Sequence, residues 1–378
     1  MFWKSVGVAR WAYNYFLEQQ QKVYLTYLEN GEIGKRFVSE GEVRKYINNV
    51  LKPTTHTWLK EVSSNVMKQA VKDANEAYQN YFKGLSEKPR FKSKHKGEPK
   101  FYVNYESLKR KPNGFQGEKL GIVKTAESLP KLSKGEHYSN PRISFDGKYW
   151  YLSIGYEIAE KQEELTGGSL GIDLGVKELA VCSNGECYKN INKTKRVKQL
   201  EKKLKREQRK LSRKMEANIR AYKVVGEKRY PIWERPIKEC KNIQKQNKEI
   251  RKVHRKLNGI RKNYLHQTTT EIVRTKPSRI VMEHLYVKGM MKNRHLSKAI
   301  AQEKFYEFKR QVKYKCKKNG IAFVEADRFY PSSKKCSCCG NIKKDLKLKD
   351  RIYKCEMCGL MIDRDYNASI NLANYGFV

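Results

Sequence analysis

Between residues 58 and 82 the chain sets an apolar or small residue at every fourth position: Trp58, Val62, Val66, Ala70, Ala74, Tyr78 and Phe82. A four-residue step keeps one face of an α-helix in line, so the stretch predicts an amphipathic helix packed through that stripe. Residues 2–30 are aromatic-rich and also helical in pattern. After Gly84 the texture changes. Residues 87–140 are rich in Lys, Gly, Pro and Ser with scattered aromatics, which reads as loops and short strands. Residues 142–158 alternate about Asp146-Gly147 and predict a hairpin on a type I′ turn.

A new region opens at residue 167. Residues 167–182 read as strand, tight turn, strand, and residues 193–265 as two long helices. In the second helix Ile243, Ile250, Val253, Leu257, Ile260 and Tyr264 step by seven, three and four, a narrow seam suited to a helical hairpin. The first offers Val197, Leu200, Leu204 and Leu211, and a bend is expected near Gly226 and Pro231. Strands return at Arg279–Met282 and Ile321–Glu325 with a helix over roughly 299–318 between them. A last helix starts near Asp365.

Charge changes the picture of the polar positions. Lys and Arg number 81 against 40 Asp and Glu among 378 residues, a formal charge of +41. Such a surface repels itself unless a polyanion neutralises it, and nucleic acid is the polyanion it suits. The polar faces of the two long helices are dense in Lys and Arg and suit a nucleic-acid backbone. The basic and aromatic mixture of 87–140 suits phosphate contact and base stacking, or a solvated connector. An anionic membrane is the rival partner. No apolar run reaches the roughly 20 residues that span a bilayer, and residues 1–16 lack a signal peptide's apolar core. The expectation is a cytoplasmic protein with no membrane partner.

The nine cysteines are then free thiols or metal ligands. Cys336-x2-Cys339 and Cys355-x2-Cys358 are separated by fifteen residues, and Gly340 and Gly359 follow each pair. This is the spacing of a four-cysteine zinc ribbon, in which two intervening residues let both thiolates of a pair turn to one point. Cys338 is a bystander, since pairing it with Cys336 leaves one residue between. A structural zinc ion with four protein ligands has no position open to water.

Four acids stand where chemistry is expected. Asp173 lies inside an apolar strand, where a carboxylate is costly without a cation. Glu283 ends the strand Arg279–Met282, and Asp363 and Asp365 flank Arg364 before the last helix. Acids at two strand ends and a helix start can converge, and a pair of divalent ions about 4 Å apart needs such a set of hard oxygen ligands. Singly, each has a bland reading: Asp173 as a turn former with Gly175, Glu283 as a partner for a surface lysine, Asp363 as a helix cap.

Together these residues resemble a known family. Gly171-Ile-Asp-Leu-Gly175, Val281-Met-Glu-His-Leu-Tyr-Val-Lys-Gly-Met290, Tyr330-Pro-Ser-Ser-Lys-Lys-Cys-Ser-Cys-Cys-Gly340 and Asp363-Arg-Asp-Tyr-Asn-Ala-Ser-Ile-Asn371 are similar to the signature blocks of TnpB, the transposon-encoded RNA-guided nucleases related to compact CRISPR type V effectors. Weaker matches continue through Gly7-Val-Ala-Arg10, Tyr13-Asn14 and Pro89–Lys94. The resemblance implies an α/β RNase H-like (RuvC) nuclease core over 167–333, with a helical hairpin insertion at about 193–265, a zinc ribbon at 334–360 and a last core helix at 361–378. It implies a helical recognition lobe at 1–86 and a small β-barrel at 87–166 ahead of them. Asp173, Glu283 and Asp365 fall on the three catalytic positions and would hold two Mg2+ (or Mn2+) ions. Asp365 is preferred because the family's acid directly precedes the x-Asn-Ala turn, with Asp363 as the alternative third ligand. The partners implied are a guide RNA and target DNA, with base pairing supplying specificity; monomer and homodimer are both open. The family usually opens with a basic, aromatic strand, whereas here the chain starts almost at the Gly-x-x-Arg helix, so one barrel strand fewer is expected. His284 stands where the family commonly has Asp or Asn. A non-cutting RNA-guided regulator, a transposase proper, a type V effector and a zinc-ribbon adaptor are the competing functions.

Overall fold

The computed structural model describes residues 1–94, 97–133, 135–157, 164–347 and 350–376. The chain forms two compact units, Met1–Ile158 and Ala159–Val378.

The first unit begins with helices α1 (Phe2–Glu29), α2 (Glu40–Tyr46) and α3 (Ser64–Phe82). The four-step stripe packs as expected from Val62 to Tyr78, but Trp58 and Phe82 remain exposed. Ser63 explains the late start: its hydroxyl accepts the Asn65 N–H and caps α3, so Trp58 lies in a short 3-10 turn before the helix. Strands β1 (Lys100–Tyr102), β2 (Lys109–Lys111), β3 (Gly114–Gly117), β4 (Gly121–Lys124), β5 (Ser139–Phe145) and β6 (Trp150–Gly155) form two antiparallel three-stranded sheets, ordered β1-β5-β6 and β2-β3-β4. The helices share one core with them, built on Phe16, Leu17, Val71, Ala74, Phe101, Phe115 and Ile143. The β5–β6 connection corrects the expected two-residue turn. Phe145 pairs with Trp150, leaving four residues between, and the Asp146 carboxylate accepts the N–H groups of Lys148 and Tyr149. Aspartate stabilises the longer loop by this local bond.

The second unit is built on strands β7 (Ser169–Leu174), β8 (Glu178–Cys182) and β9 (Cys187–Lys189), then α4 (Lys195–Glu216), β10 (Ile219–Val225), β11 (Lys228–Trp233) and α5 (Lys241–Arg274). After these come β12 (Arg279–Glu283), α6 (Val287–Met290), α7 (Ser297–Glu303), α8 (Phe305–Lys318), β13 (Ala322–Ala326), β14 (Ile352–Lys354), β15 (Met361–Asp363) and α9 (Arg364–Ala373). The central sheet runs β13-β12-β7-β8-β9, with β12 parallel to both β7 and β13 and β8 antiparallel to both β7 and β9.

Strand alternation decides what each face carries. Leu170, Ile172, Leu174, Ile280 and Met282 pack into a core with Leu265 and Ile272 of α5 and Phe308, Val312 and Cys316 of α8. Val281 belongs to the other face, where it packs with Leu372 of α9. The helical hairpin closes through the predicted seam, with Val197, Val253 and Leu257 buried and Leu200, Leu204 and Ile260 beside them. The expected bend is instead the β10–β11 hairpin, in which Val225 pairs with Lys228 and Gly226 takes φ +59° at the turn. The single helix expected over about 299–318 is two, broken where Lys304 adopts φ 55°, ψ 44°.

Candidate metal centre

Asp173 and Glu283 are neighbours by register. β7 and β12 run parallel with Ile172 opposite Met282, so the next residue on each is an acid. Period-two alternation puts both carboxylates with Gly171 and Val281, on the face that α9 covers. Gly171 is what lets α9 come so close: a Cβ there would lie 1.9 Å from the Ser369 carbonyl oxygen and 2.3 Å from the Ala373 nitrogen. The helix thus lies directly on β7, and its first turn brings Asp365 toward the two strand acids.

The electrostatics record that approach. Burial pushes the Asp173 carboxyl well above the ordinary aspartate range, Glu283 and Asp365 push it further, and Arg364 pulls it back. Glu283 is pushed up to about 7 by burial, with Asp365 adding to the rise and a backbone hydrogen bond from Leu174 opposing it. Buried strand carboxylates raised by neighbouring acids in this way form a site that gains by binding cations. Asp365 is steadied by arginine: Arg364 donates to its Oδ1 through Nε at 3.0 Å and Nη2 at 2.8 Å, and Arg351 lies 3.7 Å from Oδ2. Asp363 has a different employment. Its Oδ1 accepts the Asp365 and Tyr366 N–H groups at 2.9 and 3.0 Å, capping α9. His284 turns away to Glu325 on β13, 2.5 Å from Nδ1 to Oε1, and Lys309 shares that carboxylate.

The cysteines gather tightly. Among the described residues, only the set Cys336, Cys339, Cys355 and Cys358 has ligand atoms all within 4.8 Å of one another. Two of the sulfur pairs, Cys336–Cys358 and Cys339–Cys355, stand at 3.6 and 3.5 Å. Four thiolates at about 2.3 Å from one ion lie roughly 3.8 Å apart, so the cluster can hold zinc. Each pair turns through a knuckle in which Gly340 and Gly359, at φ +77° and +73°, donate to the Cys336 and Cys355 carbonyls. Backbone hydrogen bonds from Cys358, then Met357, draw the Cys355 thiol down to about 6.

Two residues quoted above without a role connect the sites. Asn367 and Asn371, one helical turn apart, are buried on α9. Asn367 accepts the Ser337 N–H at 3.0 Å and donates to the Lys335 carbonyl at 2.7 Å; Asn371 donates to the Ser332 and Lys335 carbonyls, each at 2.7 Å. The signal was two amides four apart inside an otherwise apolar helix face. On the other side, the β14–β15 ladder pairs Ile352 with Asp363 at the start of α9.

Comparison with known proteins agrees with this architecture. A family described as a probable transposase matches residues 153–294, and the Cas12f1-like TNB domain matches residues 305–372. A protein of Streptomyces pristinaespiralis named as an RNA-guided DNA endonuclease is 28% identical over 99% of this chain and 85% of its own length. InsQ of Escherichia coli (strain K12), named likewise, is 27% identical over 99% and 88%. TnpB-like protein L79 of Acanthamoeba polyphaga mimivirus is 31% identical over 41% of this chain and 30% of its own length, so the chain is similar to TnpB proteins. Its fold also resembles Cas12f1 as seen in a Cas12f1–sgRNA–target DNA complex, with TM-score 0.55 and 15% identity over 99% of this chain and 82% of the other. The cysteine cluster falls within the matched TNB segment, and β7 and β12, which carry Asp173 and Glu283, fall within the transposase match. No helix among the described residues is long and apolar enough to cross a membrane.

Proposed function

We propose that this chain is a TnpB-type RNA-guided, metal-dependent DNA endonuclease of a transposable element, with an RNase H-like (RuvC) core over 167–333 completed by the last helix. The carrying observation is the adjacency of Asp173 and Glu283 on one sheet face, with Asp365 on the covering helix, where its charge raises both strand acids' affinity for protons and Glu283 raises that of Asp173. The names of the relatives that align over nearly the whole chain support the same activity.

In this reading Asp173, Glu283 and Asp365 hold two Mg2+ or Mn2+ ions. Such a pair activates the attacking water and stabilises the leaving oxygen of the scissile phosphate. The chain does the positioning. Gly171 seats α9, Asp363 caps it, Asn367 and Asn371 fasten it to the ribbon, and Arg364 holds Asp365 until a cation competes for it. Cys336, Cys339, Cys355 and Cys358 would hold one structural zinc ion, which would fix the ribbon that Asn367 and Asn371 tie to α9. The basic surface grips guide RNA and target DNA, and pairing with the guide selects the sequence.

The test is cleavage of a plasmid that matches the guide, with RNA co-purified with the chain and added magnesium. Magnesium-dependent cutting by wild type and none by Asp173→Ala is expected. Cutting by Asp173→Ala at the wild-type rate refutes the assignment, and tight binding of matched DNA without cutting in either metal makes the chain a regulator.

A further inference from the structure

The β10–β11 hairpin is at odds with the rest of the second unit. Every residue from 220 to 230 is exposed. Tyr222, Val224, Val225, Tyr230 and Ile232 stand 54, 62, 55, 50 and 46% open. A sheet ordinarily buries one face, and a lone two-stranded ribbon is marginal in water. Register shows how the two faces are composed. Tyr222 lies opposite Pro231 and Val224 opposite Arg229 on one face. On the other, Lys223 lies opposite Tyr230 and Val225 opposite Lys228. Each face therefore presents one tyrosine with aliphatic surface and at least one cation.

Charge selects the occupant. The hairpin has Arg220, Lys223, Lys228 and Arg229 against Glu227, and α4, which leads into it, carries eleven Lys or Arg against three Glu. A second copy of this +41 chain would bring the same positive arm and be repelled. A polyanion is attracted. Aromatic faces beside cations offer a base a stacking surface and its phosphate a counter-charge, which a single strand can use and a duplex with stacked bases cannot.

We propose that the hairpin Ile219–Trp233 is a binding site for single-stranded RNA, with Tyr222 and Tyr230 stacking bases and Lys223, Lys228 and Arg229 contacting the flanking phosphates. It extends the nucleic-acid reading above but does not depend on cleavage.

The test uses the full chain and a fluorescein-labelled 20-nucleotide oligouridylate, with anisotropy at about 150 mM salt and ultraviolet crosslinking read by mass spectrometry. Crosslinks at Tyr222 or Tyr230 are expected. Joint Tyr222→Ala and Tyr230→Ala substitution should weaken binding at least about tenfold, and joint Tyr→Phe substitution, which keeps both rings, should restore it. Asp173→Ala should bind and crosslink as wild type, so a failed cleavage assay and a failed hairpin leave different signatures. Three outcomes overturn the proposal. One is affinity of the alanine pair within twofold of wild type. Another is phenylalanine variants as weak as the alanine ones. The third is loss of self-association, or of binding to phosphatidylserine vesicles, with RNA affinity unchanged.

Discussion

Glu303 offers a measurement in which structure fixes both size and sign. It ends α7 and is only 3% exposed. Its Oε1 accepts the Asn190 side-chain amide in a short hydrogen bond and that of Asn192 at 3.3 Å. Burial pushes its carboxyl up from 4.5 to about 7, against those hydrogen bonds and the pull of Lys193 and Arg261. The rise amounts to about 3 kcal/mol at 1.36 kcal/mol per pH unit. Because the folded value is raised, the stability this group contributes is full below pH 4.5 and is lost as pH climbs through about 7. Glu303→Gln keeps an acceptor oxygen for both asparagines and never ionises. The two proteins should melt together near pH 4. By pH 8.5 the variant should be more stable by up to about 3 kcal/mol, with each kcal/mol worth about 2–4 °C in a unit of this size. Thermal melts from pH 4 to 9 read this directly. Parallel curves, or a variant that melts lower at pH 8.5, would refute the account of a carboxylate held against its charge.

Other expectations separate the parts of the metal centre. Asp365→Ala should abolish cleavage while shifting denaturant stability by about 1 kcal/mol or less; Asp363→Ala should cost about 1 kcal/mol as a lost cap yet retain cleavage, and the reverse pattern would exchange their roles. Gly171→Ala should destabilise by at least about 3 kcal/mol in denaturant melts, because the added methyl meets backbone atoms of α9 at 1.9 and 2.3 Å, which cannot rotate aside. One zinc ion per chain should be released by a thiol-reactive reagent and detected by a chromogenic chelator. Cys355→Ser should lose that ion and slow cleavage as well, since the ribbon sets the start of α9.

Local periodicity made the two packing faces legible. The stripe from Val62 to Tyr78 and the seam from Ile243 to Leu257 were visible because one element buries one face and spacing reports it. What periodicity could not show was where a polar group would interrupt it. The Ser63 hydroxyl starts α3 after Trp58, the Asp146 carboxylate opens a four-residue loop, and Lys304 takes a left-handed conformation that splits a helix. Each is a local choice between near-equal conformations. The β10–β11 ribbon was hidden for a different reason: with both faces exposed, it has no buried side to mark the pattern.

The site was legible as residue types before it was legible as a place. A carboxylate inside an apolar strand and paired cysteines are anomalies that sequence alone exposes, so Asp173 and the cysteine set stood out. Convergence is a property of register and crossover. That Glu283 follows the residue opposite Ile172 comes from the parallel ladder, and that α9 reaches both acids comes from a glycine whose missing side chain only a neighbouring backbone can explain. The choice between Asp363 and Asp365 shows the limit most clearly. Their spacing from Arg364 is symmetric in sequence; the resemblance favours Asp365 by its place before the x-Asn-Ala turn, and the helix start separates the two independently. The cap position commits Asp363 to the N–H groups of Asp365 and Tyr366, while Asp365, two residues further on, pairs with arginine, which supports its assignment as the proposed third ligand.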